Sequence, residues 1–264
     1  MMKNRYHPRI AALRAQDLAT AAAFTPEEPE ALGRLNWHLH TPYALATGAW
    51  VEGELVGYLL AIRHAASAHL SDLVVPPTWM NEGVGTALMQ DFIATCDREA
   101  LPSQVVMAPP ESADWFRRFG FEAQGELVRY AGGRHQQAHL AEVVPAGPEH
   151  WLAICHLDRR ATGEDRSTWL REHDYLSRVW LEQGRVRGFL LPLAGEGLII
   201  ADHPAIGLEL QRWLLPLKDH ITLLAGQLEV HEHLVKQGYS PAPAVVRMVR
   251  GAALEWRAWM VFGW

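Results

Sequence analysis

The sequence predicts an α/β protein, with α+β character and mixed sheets, split into two consecutive domains. Three observations carry this. The chain has 264 residues, 49% hydrophobic against 20% charged, which is enough apolar material for two separate cores. Short runs rich in β-branched and aromatic residues alternate with stretches whose apolar positions recur three and four apart. From about residue 141 the same order of elements begins again, which places the domains at residues 1–140 and 141–264.

In the first segment, residues 10–13 read as a short strand, and Asp17 can cap a helix through the Ala-rich run 18–24. A second helix is expected from residue 30 to about 38. It ends before Thr41-Pro42, because the residue preceding proline is pushed out of the helical region. Residues 44–51 and 55–63 have strand composition and flank the polar turn Glu52-Gly53-Glu54, predicting an antiparallel hairpin. Residues 69–75 make another strand, stopped by Pro76-Pro77, neither of which can donate a ladder hydrogen bond. Val84, Ala87, Leu88, Phe92, Ile93 and Cys96 line one face of a helix starting near Gly83. A strand at 104–108, a helix at 112–119 ended by Gly120, and a strand at 121–130 follow, and Gly132-Gly133 makes a break.

The second segment reads as a strand at 141–144, helices near 149–157 and 166–173, and a hairpin-like pair at 175–181 and 186–193. Then come a strand at 198–201, a helix at 206–217, a strand at 221–224, a helix at 229–237 and a strand at 245–250. The aromatic tail from Trp256 to Trp264 is expected to pack against its own domain, since a terminal segment stays ordered only when tied down.

A net charge of -6 gives no general reason to expect nucleic acid or an anionic membrane as partner, so small molecules or proteins are expected, with a homo-oligomer admitted. Cys96 and Cys155 stand alone, which excludes a disulfide framework and a Cys-based zinc spacing. No segment approaches the roughly 20 apolar residues of a membrane span. Residues 1–14, with Lys3, Arg5, His7, Arg9 and Arg14, lack the apolar stretch of a secretory signal, so a cytoplasmic protein is expected. The pairs His38/His40 and His231/His233 have no evident third ligand. No metal site is expected, and these histidines read as surface residues. Gly-x-Ser-x-Gly, Gly-Lys-Ser/Thr and Cys-x-x-Cys are all absent, which removes the commonest hydrolase, nucleotidase and redox signatures.

The most informative segment is the strand-to-helix turn at residues 80–86. Gly83 and Gly85 allow close backbone approach there, and the unpaired N–H groups of a helix's first turn attract a pyrophosphate. Met80-Asn81-Glu82-Gly83-Val84-Gly85 resembles the cofactor loop of the GNAT superfamily of N-acetyltransferases. The aromatic and Gly-Phe element of that family is matched by Trp115-Phe116-Arg117-Arg118-Phe119-Gly120-Phe121, and the resemblance covers about residues 8–140. It implies acetyl-CoA as acyl donor, held by Leu73, Val74, Val75, Met80, Asn81, Glu82, Gly83, Val84, Gly85, Thr86 and Phe116. It also implies transfer to an amine of a small molecule or peptide by direct attack in a ternary complex. The chain departs from the family in having Met80 for the usual Arg or Gln, a carboxylate at Glu82, and Phe116 where many relatives carry a proton-donating tyrosine. These departures keep open a non-catalytic acyl-CoA-binding or regulatory protein. His69 stands where some relatives have a catalytic glutamate, and Asp72 is the alternative base. Their opposite strand parity predicts opposite faces of the sheet. The second segment is similar to the degenerate C-terminal domain of tandem GNAT proteins through Asp158-Arg159 and Gly163-Glu164-Asp165-Arg166. Its counterpart loop, Ala201-Asp202-His203-Pro204-Ala205-Ile206-Gly207, has one glycine and no Lys or Arg, so no CoA is expected there.

Overall fold

A computed structural model describes residues 6–134, 136–138 and 141–264. Lys3 and Arg5 of the N-terminal segment, and the expected domain boundary at residue 140, lie outside the described residues. By its contacts the chain divides into two compact units, Met1–Met107 and Ala108–Trp264.

The first unit contains β1 (Arg9–Ala12), α1 (Leu18–Ala22), α2 (Ala31–His40), β2 (Ala44–Val51), β3 (Glu54–Arg63), β4 (Ser67–Val74), α3 (Val84–Arg98) and β5 (Ser103–Ala108), whose last residue opens the second unit. β1 to β4 form an antiparallel meander. The β2–β3 hairpin closes through Glu52 (φ 52°) and Gly53 (φ 89°), two consecutive left-handed residues that match the twist of the strands they join. β4 pairs with β5 in parallel, the arrangement that requires a crossover, and α3 supplies it. Asp17 precedes α1 as expected, but its carboxylate accepts from the Arg14 amide at 2.8 Å instead of capping the helix. One core cluster joins Leu13, Ala21, Leu35, Leu55, Tyr58 and Leu60 beneath α1 and α2. Val84, Leu88, Met89, Phe92 and Cys96 are the buried residues of α3.

The second unit contains α4 (Ala113–Arg117), β6 (Glu122–Ala131), β7 (Val143–Pro145), α5 (Trp151–Thr162), α6 (Ser167–Glu172), β8 (Arg178–Glu182), β9 (Arg185–Leu191), β10 (Leu198–Ala201), α7 (Pro204–Leu214), β11 (His220–Leu224), α8 (Leu228–Lys236), β12 (Ser240–Gly251) and β13 (Val261–Gly263). The helix expected at 112–119 is five residues long, preceded by a 3₁₀ turn. β13, β10, β9, β8 and β7 form one antiparallel sheet in that order. β6, read in sequence as the last strand of the first segment, pairs antiparallel with both β11 and β12. The motif residues Asp158 and Arg166 make a buried bidentate pair, Nε to Oδ2 at 3.1 Å and Nη2 to Oδ1 at 2.6 Å. The aromatic tail packs within its own unit as expected, and it does so as a strand, with Met260, Val261 and Phe262 buried. Among the described residues no helix is long and apolar enough to cross a membrane, and no three His, Cys, Asp or Glu residues are placed to hold a metal ion.

Candidate functional site

The β4–α3 connection leaves backbone amides without helical partners at one point. After β4 a 3₁₀ turn is closed by Trp79 N–H to Pro76 O at 2.9 Å and Met80 N–H to Pro77 O at 3.3 Å. Asn81 (φ 65°) and Gly83 (φ 88°) then take left-handed conformations that reverse the chain into α3. The first bond of the helix runs from Ala87 N–H to Gly83 O at 3.0 Å. Val84, Gly85 and Thr86 therefore have no carbonyl four residues behind them in the helix, and Gly83 offers no capping side chain. Three amides and the positive end of a 15-residue helix face one spot. Gly57 of β3 brings this turn close to the sheet, since a Cβ there would lie 2.9 Å from the Val74 carbonyl oxygen and 3.0 Å from Val84 Cγ1. Met80 is 56% exposed and Glu82 half-buried, and residues 80–86 include no Lys, Arg or His.

Beside this turn the sheet opens. The parallel β4–β5 ladder runs from Ser67/Ser103 to Leu70/Val106 and stops there, while β4 continues to Val74 against β3. The last residues of β4, including Leu73 and Val74, have a ladder partner on one side only. The end of β4 thus lacks a partner on its β5 side, and the start of α3 lies close to it, with Val84 and the Val74 carbonyl both near Gly57.

The two base candidates lie differently from expectation. Opposite β3, His69 pairs with Ile62, Leu70 with Ala61 and Asp72 with Leu60, so Ser71 is an extra residue in the ladder. This β-bulge shifts the side-chain alternation by one and puts His69 and Asp72 on the same face, the one that carries Tyr58 and Leu60. On that face Arg34 of α2 donates from Nε to Asp72 Oδ2 at 2.6 Å and from Nη2 to Glu28. His69 is half-buried and meets His64 edge-on, with ring centres 4.8 Å apart. His38, read in sequence as a surface histidine, is only 5% exposed. Its Nδ1 is 2.8 Å from Arg34 O and its Nε2 is 3.3 Å from Ser71 Oγ. Burial pushes its pKa below the ordinary value, and the nearby Arg34 guanidinium adds to this. Burial pushes the Tyr58 hydroxyl up. The signal for His38 was present: Ala31, Leu35 and His38 recur at helical spacing and are the buried residues of α2.

Residues 16–140 match the family model of the acetyltransferase (GNAT) domain. This segment is a GNAT domain. The L-amino acid N-acetyltransferase AaaT of Escherichia coli (strain K12) is 28% identical over 91 residues, which cover 31% of this chain and 56% of the relative, so the chain spans about half the length of this curated relative. A candidate acetyltransferase from Pyrococcus horikoshii superposes with a TM-score of 0.81 over 100% of this chain and 96% of its own, at 18% identity. A tandem GNAT protein from the clavulanic acid biosynthesis pathway superposes with a TM-score of 0.58, covering 94% of this chain and 99% of that one at 15% identity. At such identities the likeness is one of fold, and that fold is a tandem of two GNAT-like domains.

The second GNAT-like fold has its equivalent turn closed off. Asp202, after β10, is held by both of its oxygens to Arg187 Nε at 2.8 and 2.9 Å. His203 Nδ1 caps α7 by accepting from Ala205 N–H at 3.2 Å, and Pro204 has no N–H to offer. β10 is paired on its other edge by β13, and a Cβ on Gly207 would strike the ring of Phe262 at 2.2 Å. Phe116, also in the second compact unit, is buried in α4 against Trp115 and Phe121, with ring centres 4.9 and 5.7 Å away. It brings no hydroxyl to the chemistry.

Proposed function

We propose that the GNAT domain binds acetyl-CoA at the β4–α3 turn and transfers its acetyl group to an amine of a small molecule or peptide by direct attack in a ternary complex. The observation that carries this reading is the set of unpaired amides of Val84, Gly85 and Thr86, placed beside the point where β4 and β5 part. Those amides and the helix dipole suit a pyrophosphate, and Asn81, Glu82 and Gly83 shape the turn around it. Leu73, Val74 and Val75 offer backbone groups to the pantetheine arm and an N–H to the oxyanion that develops on the thioester. When bound, acetyl-CoA supplies an activated acyl carbon, so no covalent nucleophile is required of the chain. The acceptor class includes amino acids, on which the E. coli relative acts by its name.

A second reading, an acyl-CoA-binding regulatory protein, is favoured by Met80, Glu82 and Phe116, which remove a loop cation, add a carboxylate and leave out a hydroxyl. Release of free CoA thiol across a panel of amines, L-amino acids among them, separates the two. Turnover supports the transferase, whereas tight binding of acetyl-CoA without release with any amine would leave the regulatory reading standing.

A further inference from the structure

Two of the described hydrogen bonds fix where the proton on His38 sits. The carbonyl oxygen of Arg34 only accepts, so Nδ1, 2.8 Å away, carries the proton. In the neutral ring Nε2 is then a bare lone pair, and it faces Ser71 Oγ at 3.3 Å. The Ser71 hydroxyl lies at the bulge, on an exposed residue, and Ser71 is the first β4 residue beyond the closed part of the β4–β5 ladder. A buried base thus reaches the end of the β4–β5 ladder through one exposed hydroxyl.

We propose that Ser71 and His38 form the proton relay for the acceptor amine, with Ser71 the group that meets the substrate and His38 the acceptor behind it. The relay rests on the acetyl-transfer reading above. Ser71 Oγ takes a proton from the incoming ammonium while its own proton passes to His38 Nε2. The freed nitrogen lone pair forms the C–N bond at the acetyl carbon, the C–S bond breaks, and the sulfur takes the second nitrogen proton. The imidazolium returns its proton to water. Asp72 faces this ring from β4 and favours its protonation, while Arg34 on α2 opposes it. Glu28 acts through Arg34, and the Tyr58 hydroxyl on β3 is held neutral by burial. The other two candidates are less well placed. Asp72 is engaged by Arg34, and His69 lies opposite Val105 inside the closed ladder, before the opening.

Two experiments decide it. Nitrogen-15 NMR of the free full-length chain should show His38 protonated on Nδ1, titrating at Nε2 below the ordinary value of about 6.5, and Ser71→Ala should move that titration. In turnover, Ser71→Ala and His38→Gln should each lower kcat by roughly 100-fold with KM for acetyl-CoA unchanged. The acid limb of the wild-type pH profile should match the titration seen by NMR and disappear in Ser71→Ala. A proton found on Nε2 overturns the relay, and so does a Ser71→Ala enzyme that keeps its rate and its acid limb while the wild type turns over normally. If the wild type releases no CoA with any amine, the transfer reading fails and the relay fails with it. Ser71 is exposed, so its variant tests the idea even where His38→Gln does not fold.

Discussion

The amide of Trp264 donates to the carbonyl oxygen of Thr222 at 2.9 Å, which fastens the final residue of the chain to β11 while its neighbours in β13 pair with β10. Gln211 Nε2 of α7 donates to Phe262 O at 2.7 Å and Gln227 Nε2, just before α8, to Val261 O at 2.6 Å, so the tail is held by β10, β11, α7 and the turn into α8. Phe262→Ala should cost about 3–5 kcal/mol in denaturant unfolding. Because the tail belongs to the second GNAT-like fold, acetyl-CoA affinity at the β4–α3 turn should be retained wherever the variant remains folded.

The Asp158–Arg166 pair makes a second stability prediction. Both side chains are almost fully buried, so Asp158→Asn removes the hydrogen-bonded counter-charge of the Arg166 guanidinium, leaving it only the field of Glu164, and should lose about 3–5 kcal/mol. Asp158→Leu combined with Arg166→Met removes both charges and should recover much of that loss. Urea titrations of the single and double variants check this.

Acid should weaken the fold through two histidines. Burial holds His38 and His233 below the ordinary pKa of about 6.5, and neighbouring Arg34, or Arg212 and Lys236, push the same way. Between the folded and unfolded values the unfolded chain binds more protons, so stability rises with pH across that window. This contribution is complete above about 6.5 and is lost as pH falls through the folded values. Chemical denaturation across that range should show a slope reduced by His38→Gln.

The parts of the fold that are local were legible in the sequence. Glu52-Gly53 marks its own hairpin, because the turn needs two left-handed residues, and the strand expected at 198–201 has those bounds in the structure. The strand-to-helix turn at Gly83 was legible for the same reason. What escaped depends on distant partners. β13 reads only as an apolar tail until β10 is known to leave an edge for it. The pairing of β6 with β11 and β12 is fixed by strands far along the chain. The bulge at Ser71 leaves no mark in composition, yet that one residue reverses the faces assigned to His69 and Asp72. His38, expected at the surface, is buried for a different reason. Its spacing from Ala31 and Leu35 placed it on the buried face of α2, but a His-x-His pair draws attention to metal binding first.

Gly83 carries a conformational prediction. At φ 88° a Cβ is strained, so Gly83→Ala should lose about 1–2 kcal/mol and displace the amides that follow it. Acetyl-CoA affinity should fall together with stability in this variant, which a thermal-shift series with and without acetyl-CoA would show.

Calorimetric titration of acetyl-CoA into the intact wild-type chain and into Gly85→Glu tests the central claim most directly. A carboxylate in the first turn suits the dipole of α3 and competes with a pyrophosphate for the amides of Val84, Gly85 and Thr86, and a denaturant melt of the variant checks that its fold is kept. The wild type should bind one acetyl-CoA per chain, since the turn after β10 is capped, and Gly85→Glu should bind at least about tenfold more weakly, a loss of about 1.4 kcal/mol. No binding by the wild type, or undiminished binding by Gly85→Glu, would contradict the assignment.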